Sequence, residues 1–152
     1  MTARNRGYLA VPAIVTSLVV LLSACGGSDK DKDADANAAA ATVACSSNIT
    51  NTASTGLPSD VPGPSGASAP YDYFAQGATK VWYIALDGDP GDLASMRDSY
   101  DQMLQGKGYK IEGTDQEENA EAESEFSGTH DGTTNFRPLC KGKVVLRLKL
   151  TS

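Results

Sequence analysis

The side chains able to do chemistry in this chain fall into a few groups. His130 is the only histidine among 152 residues, and Asp131 follows it. A histidine beside a carboxylate is the general-base half of a serine hydrolase, and serines are plentiful. No Gly-x-Ser-x-Gly turn is present to offer one as a nucleophile, so the competing reading is a solvent-facing histidine in a turn. Asp87, Asp89 and Asp92 lie within six residues and supply oxygens of the kind calcium takes. An EF-hand counted from Asp87 would need glycine at its sixth position and glutamate at its twelfth. Here those positions hold Asp92 and Asp98, with Pro90 and Gly91 inside. The stretch reads instead as a strand-to-helix turn whose acidic end suits the helix dipole. Asp115, Glu117, Glu118, Glu121, Glu123 and Glu125 form an acidic run that either meets a cation or basic partner or is a solvated face. Tyr71, Tyr73, Phe74, Trp82 and Tyr83 form an aromatic group that either lines a groove for an apolar or sugar ligand or fills the core.

The three cysteines divide into one and two. Cys25 follows an apolar run, Leu9 to Leu22, broken only by Pro12, Thr16 and Ser17 and preceded by Arg4 and Arg6. This is the layout of a secretion signal. The run is shorter than the roughly 20 apolar residues that a spanning helix needs, and Gly26-Gly27-Ser28-Asp29 follows it. Over residues 1–28 the chain resembles the signals of bacterial lipoproteins. Their lipobox reads Leu, then Ala or Ser, then Gly or Ala, then Cys, and Leu22-Ser23-Ala24-Cys25 matches at every position. The resemblance implies cleavage between Ala24 and Cys25, a diacylglyceryl group on the Cys25 sulfur, and acylation of the new amino group. The alternative is an ordinary signal with a chance cysteine. The Ser-Ala-Cys-Gly-Gly-Ser run is also loosely similar to small actinobacterial lipoproteins. Two acyl chains give stable anchoring where one does not. Cys45 and Cys140 are left as an even pair in an oxidising compartment, for which a disulfide is the expectation and free thiols or a metal pair the alternatives.

The formal charge is −6, and loss of residues 1–24, Arg4 and Arg6 among them, takes it to −8 over 128 residues. Such an acidic chain argues against nucleic acid as a partner. No cofactor motif or metal-ligand spacing is present. The expected partners are the membrane, through Cys25, and an envelope protein or small ligand.

These groups need elements to position them. Residues 1–24 read as signal peptide, 25–44 as the lipidated cysteine with a flexible linker, 45–78 as an irregular Pro-, Gly- and Ser-rich strap, and 79–152 as the packed domain. The linker has little to bury. In the strap, Leu57-Pro58-Ser59-Asp60-Val61-Pro62-Gly63-Pro64 sets apolar residues among prolines and reads as extended chain laid on a surface. Lys80 to Leu86 is apolar on both faces, which predicts a strand covered on both sides. Asp89 is placed to cap a helix with Pro90 at its first position, and Leu93, Met96, Tyr100, Met103 and Leu104 follow at helical spacing until Gly106 and Gly108. A strand from Tyr109, a half-exposed strand over 121–126, a hairpin turn at Asp131-Gly132, a strand over 133–139 weakened by Pro138, and a final alternating strand from Val144 to Leu150 complete the chain. The expected fold is α+β: one helix on one face of a mixed or antiparallel sheet of about five strands, β-α-β-β-β-β. The strap is expected to bring Leu57, Val61 and Tyr71 to the face the helix leaves bare.

The expected function is that of a membrane-anchored extracytoplasmic lipoprotein, a non-enzymatic binding or accessory module of the envelope. The alternative is a small hydrolase or calcium-dependent enzyme using His130 or the Asp87, Asp89 and Asp92 turn.

Overall fold

A computed structural model describes residues 36, 39–45, 55–65, 70 and 72–151. Residues 1–24, Cys25, most of the linker and Tyr71 lie outside the described residues.

Strands β1 (Asp72–Gln76) and β2 (Thr79–Asp87) form a hairpin, and a short 3-10 turn (Pro90–Asp92) leads into helix α1 (Leu93–Gly106). Strands β3 (Lys110–Glu117), β4 (Glu121–Ser127), β5 (Asp131–Cys140) and β6 (Lys143–Thr151) follow as a meander. All six join one antiparallel sheet in the order β1-β2-β6-β5-β4-β3. The chain leaves β2 near one edge, crosses through α1 to the far edge, and returns strand by strand until β6 docks beside β2.

The sheet therefore has six strands and not five, and the added one, β1, lies in the stretch read as strap. Its five residues are mostly exposed and carry no alternating pattern. What makes them a strand is the free edge of β2, reached through a turn in which Gly77 takes φ 58°, a conformation that favours glycine. The hairpin expected at Asp131-Gly132 is also displaced. Both residues already pair with β6, opposite Thr151 and Leu150. Gly132 is required there by close approach, since a Cβ would lie 2.3 Å from the Lys149 carbonyl oxygen and 2.6 Å from Phe126 Cζ. Pro138 marks a break in register with β6, as a residue without an N–H should.

Asp89 stands at the start of the 3-10 turn, with Pro90 just inside it, and the Asp92 amide donates to its carbonyl at 2.9 Å. The α-helix proper begins at Leu93. It ends where Gly108, at φ 91°, lets the Tyr109 amide reach back to the Leu104 carbonyl at 3.1 Å.

Alternation gives the sheet two unlike faces. Trp82, Ile84 and Leu86 of β2 share one face with Val144, Leu146, Leu148 and Leu150 of β6, Phe136 of β5, and Ala122 and Phe126 of β4. With Leu93, Tyr100 and Leu104 of the helix, these form the hydrophobic core. Each fully buried large side chain of this kind contributes about 1.5–3 kcal/mol. The other face carries Val81, Tyr83, Ala85, Val145, Arg147, Lys149, Thr133, Asn135, Arg137, Glu121, Glu123 and Glu125, and none of these belongs to the core cluster.

The described residues 55–65 of the strap lie on the core face and not on that second face. Val61 is buried in the same core as the helix, Leu57 packs against it, and the Tyr100 hydroxyl donates to the Pro62 carbonyl at 2.8 Å. The reason is the length and placement of α1. Its main contacts are with β3, β4 and β5, which leaves the apolar strip on β2 uncovered on its own side. The strap fills that gap. The expected bridge between Cys45 and Cys140 is present, with a Cα–Cα distance of 5.3 Å, and the Lys141 amide donates to the Val43 carbonyl at 2.8 Å beside it.

Candidate ligand-binding site

His130 sits in the β4–β5 turn with its Nε2 3.3 Å from Asp60 Oδ2 on the strap. The Tyr109 hydroxyl donates to the same oxygen at 3.0 Å. Desolvation opposes ionisation of Asp60, but the bonds from Tyr109, a backbone amide and His130 outweigh it and hold the carboxyl below its usual range. Burial, followed by the bond to this carboxylate, pushes the Tyr109 phenol up to about 12. The arrangement is a clasp that ties the strap to the turn before β3 and the turn before β5. The aspartates of the β2–α1 turn separate: Asp87 pairs with Lys143 at 2.7 Å, while Asp89 and Asp92 stand at the starts of the 3-10 turn and the helix. Among the described residues no group of three or more His, Cys, Asp or Glu is placed to hold a metal ion.

The aromatic group is divided by the sheet. Tyr73 faces Trp82 across β1–β2, their rings 5.2 Å apart, on the core side. Phe74 and Tyr83 point to the second face, where Phe74 is 54% exposed. Tyr71 lies outside the described residues. No single groove is formed by the four that are described. On the core side a crevice of about 240 Å³ opens between strap, helix and sheet, lined by Pro64, Leu86, Met96, Tyr100, Met103 and Phe136.

Beneath the helix lies a polar cluster inside the apolar core. Ser124 donates to Asp101 Oδ2 at 2.6 Å, while Asp101 Oδ1 and the hydroxyl of the neighbouring Thr134 have no partner. Burial pushes the Asp101 carboxyl up against the pull of Ser124 and Arg97.

The second face holds the more distinctive arrangement. Register places Asp115, Glu123, Asn135, Arg147, Tyr83 and Asp72 in one row across all six strands. Neighbouring strands are about 4.8 Å apart, so successive side chains in the row stand close enough to share one ligand. Along the row the charge changes sign. Strands β3 and β4 present Asp115, Glu117, Glu121, Glu123 and Glu125, whereas β5 and β6 present Arg137, Arg147 and Lys149. The acidic run is therefore one half of a polarised surface. Two of its acids are opposed by strand β5: Arg137 donates to Glu121, its Nε at 2.6 Å from Oε2, and Asn135 Nδ2 donates to Glu123 Oε1.

A cavity of about 360 Å³ lies over the middle of the row, lined by Tyr83, Glu123, Asn135, Arg137, Val145 and Arg147. Asn135 is only 4% exposed, and its Oδ1 has no hydrogen-bond partner. The bond from Nδ2 to a carboxylate fixes which amide atom is which. The guanidinium of Arg147, directly opposite Asn135 in the β5–β6 ladder, makes no hydrogen bond or ion pair within the described residues. A buried carbonyl without a protein donor thus lies beside a cation without a protein acceptor, two groups that a polar ligand could satisfy together.

Of these residues only Tyr83 and Glu123 were singled out in the sequence as candidates for chemistry. Asn135 has a signal of its own, a polar residue in mid-strand next to Phe136, but its strand-mates across the sheet are fixed by pairing and not by sequence neighbours. Comparison with protein-family models, with curated proteins and with solved structures finds no match to this chain.

Proposed function

We propose that this chain is an extracytoplasmic lipoprotein, held on the outer face of the cell membrane by acylation of Cys25, and that it works there as a binding module rather than an enzyme. The anchor rests on Leu22-Ser23-Ala24-Cys25 and the signal-like residues before it. The linker behind Cys25, helical at residues 39–42 and tied to the domain at Val43, would let the domain stand off the bilayer.

The observation that carries the binding role is the cavity around Asn135 and Arg147. An unsatisfied buried carbonyl costs about 1–3 kcal/mol, which a ligand donor recovers. Of the residues of the enzymatic alternative, His130 contacts Asp60 in the clasp and Asp87 pairs with Lys143, while Asp89 and Asp92 stand at the starts of the 3-10 turn and the helix.

Labelling with a palmitate analogue tests the anchor. Cys25→Ser is expected to abolish the label, and an unchanged label ends that reading. Extraction of the acylated chain from its native membranes in mild detergent tests the role. A bound ligand or partner is expected to co-purify, and Arg147→Gln to lose it. A hydrolytic activity that disappears in His130→Ala would reverse the ranking.

A further inference from the structure

We propose that the cavity over Asn135 and Arg147 binds a small zwitterion, a molecule bearing an ammonium group and a carboxylate or phosphate a few ångströms apart. The inference rests on the binding-module reading above and names the ligand class for that site. Three neighbouring positions of the transverse row carry it. Glu123 at one end is a carboxylate, Arg147 at the other is a guanidinium, and Asn135 between them is buried with its Oδ1 unpartnered.

The chemistry of each atom restricts the guest. Asn135 Nδ2 is already given to Glu123, and the amide is planar, so Oδ1 is turned away from that contact. Being an acceptor only, it requires a donor, which a bare anion does not have. The Arg147 guanidinium requires an acceptor, best a planar or tetrahedral oxyanion that takes two of its N–H groups. A ligand that satisfies both has a donor group and an anionic group. The carboxylate of Glu123, one strand beyond Asn135, makes a positively charged donor better than a neutral one. An ammonium group over Asn135 Oδ1 and Glu123, with an oxyanion over Arg147, follows the sign of the surface from β4 to β6. Arg137 lines the same cavity but is engaged by Glu121, so Arg147 is the cation left for the ligand. Tyr83 and Val145 supply the apolar wall. The volume of about 360 Å³ suits an amino acid, a dipeptide or a phosphoethanolamine group. These share the required chemistry, and they differ in whether the source is free in the envelope or is a lipid headgroup.

Calorimetric titration of the full acylated chain in detergent tests the proposal, with dialanine and phosphoethanolamine as probes and with acetate and ethylammonium as single-charge controls. Saturable binding of at least one zwitterion is expected, at least tenfold tighter than either control. Dialanine alone binding points to a peptide or amino acid, and phosphoethanolamine alone to a headgroup. Arg147→Gln, at an exposed position, is expected to weaken binding at least tenfold. Glu123→Gln, which keeps an acceptor for Asn135, is expected to weaken it while narrowing the gap between zwitterion and acetate. Absence of saturable binding, acetate binding as tightly as the zwitterions, or an unchanged affinity in Arg147→Gln would each overturn the proposal. Palmitate labelling is read separately. Loss of the label with binding kept removes the anchor and leaves the site, and the converse removes the site and leaves the anchor.

Discussion

Thr134 and Asn135 are adjacent in β5 and both almost fully buried, yet they belong to opposite faces of the sheet. Thr134 lies under the helix in the apolar core, next to Ser124 and the helix carboxylate Asp101. Asn135 lies among charges, between Glu123 and Arg147. On the core face, helix and strap remove water from continuous apolar surface; of the few polar groups there, Ser124 is bonded to Asp101, while Asp101 Oδ1 and the Thr134 hydroxyl have no partner. On the second face, burial of Asn135 comes with long charged side chains whose ends stay near water. The first arrangement supplies stability, and the second offers the polar groups on which the proposed binding rests.

The comparison can be broken most severely through the Cys45–Cys140 bridge, which closes a loop with a sequence separation of 95. A loop of that length corresponds to about 4–5 kcal/mol in the chain-entropy model. Reduction, or Cys140→Ser, is expected to destabilise the core face as a whole and to expose Trp82, the only tryptophan. Denaturant melts followed by its fluorescence, with and without reductant, measure this. Coincident melts would show that the strap needs no staple.

A matched pair of truncations on β6 sharpens the contrast directly. Leu146 is fully buried in the core, and Val145 is half-buried on the second face. Leu146→Ala is expected to cost about 2–5 kcal/mol, and Val145→Ala about 1 kcal/mol or less. Similar losses in urea melts would mean that the two faces are equally packed.

Two carboxylates give opposite pH dependences. Asp101 is raised, so between 3.8 and its folded value the native state binds the extra proton, and its contribution to stability falls as pH rises through that window. Asp60 is lowered, so its contribution is present above 3.8 and is lost as pH falls through the folded value. Asp101→Asn should therefore gain on the wild type as pH rises, and Asp60→Asn should lose on it. Melts over an acid-to-neutral series decide the signs.

The smallest effect is spectroscopic. Asp60→Asn removes a charge that keeps the Tyr109 phenol protonated, so its titration, near 12 in the native chain, is expected to move down toward the ordinary value of 10.0. Tyrosinate absorbance of variant against wild type reads this, and an unchanged curve would mean that burial alone sets the phenol.

Much of the core face was legible in the chain. Val144, Leu146, Leu148 and Leu150 alternate with Val145, Arg147 and Lys149, and the buried set in the structure is the one that alternation selects. The same holds for Ala122, Ser124 and Phe126 on β4. Helix α1 followed from its periodicity, Pro90 and the glycines behind it, and the cysteine pair from its even count once Cys25 is set aside as the expected lipid acceptor. These features are local, or nearly so: strand parity, helical period and caps depend on residues within a few positions of one another.

What needed the tertiary structure was everything that depends on which strand lies beside which. β1 carries no periodic signal and exists because β2 has an edge to pair with. The strap lies under the same roof as the helix because α1 reaches only half of the apolar surface, a matter of where the crossover places it. His130 meets Asp60 across 70 residues of chain, and the acidic run meets Arg137 and Arg147 because the meander stacks β4, β5 and β6 in that order. Within β5, parity sets Asn135 on the face opposite Thr134 and Phe136. Only the ladder decided that Glu123 stands on one side of it and Arg147 on the other, because pairing between strands is fixed by the cooperative burial of the opposite face, to which none of these three side chains contributes.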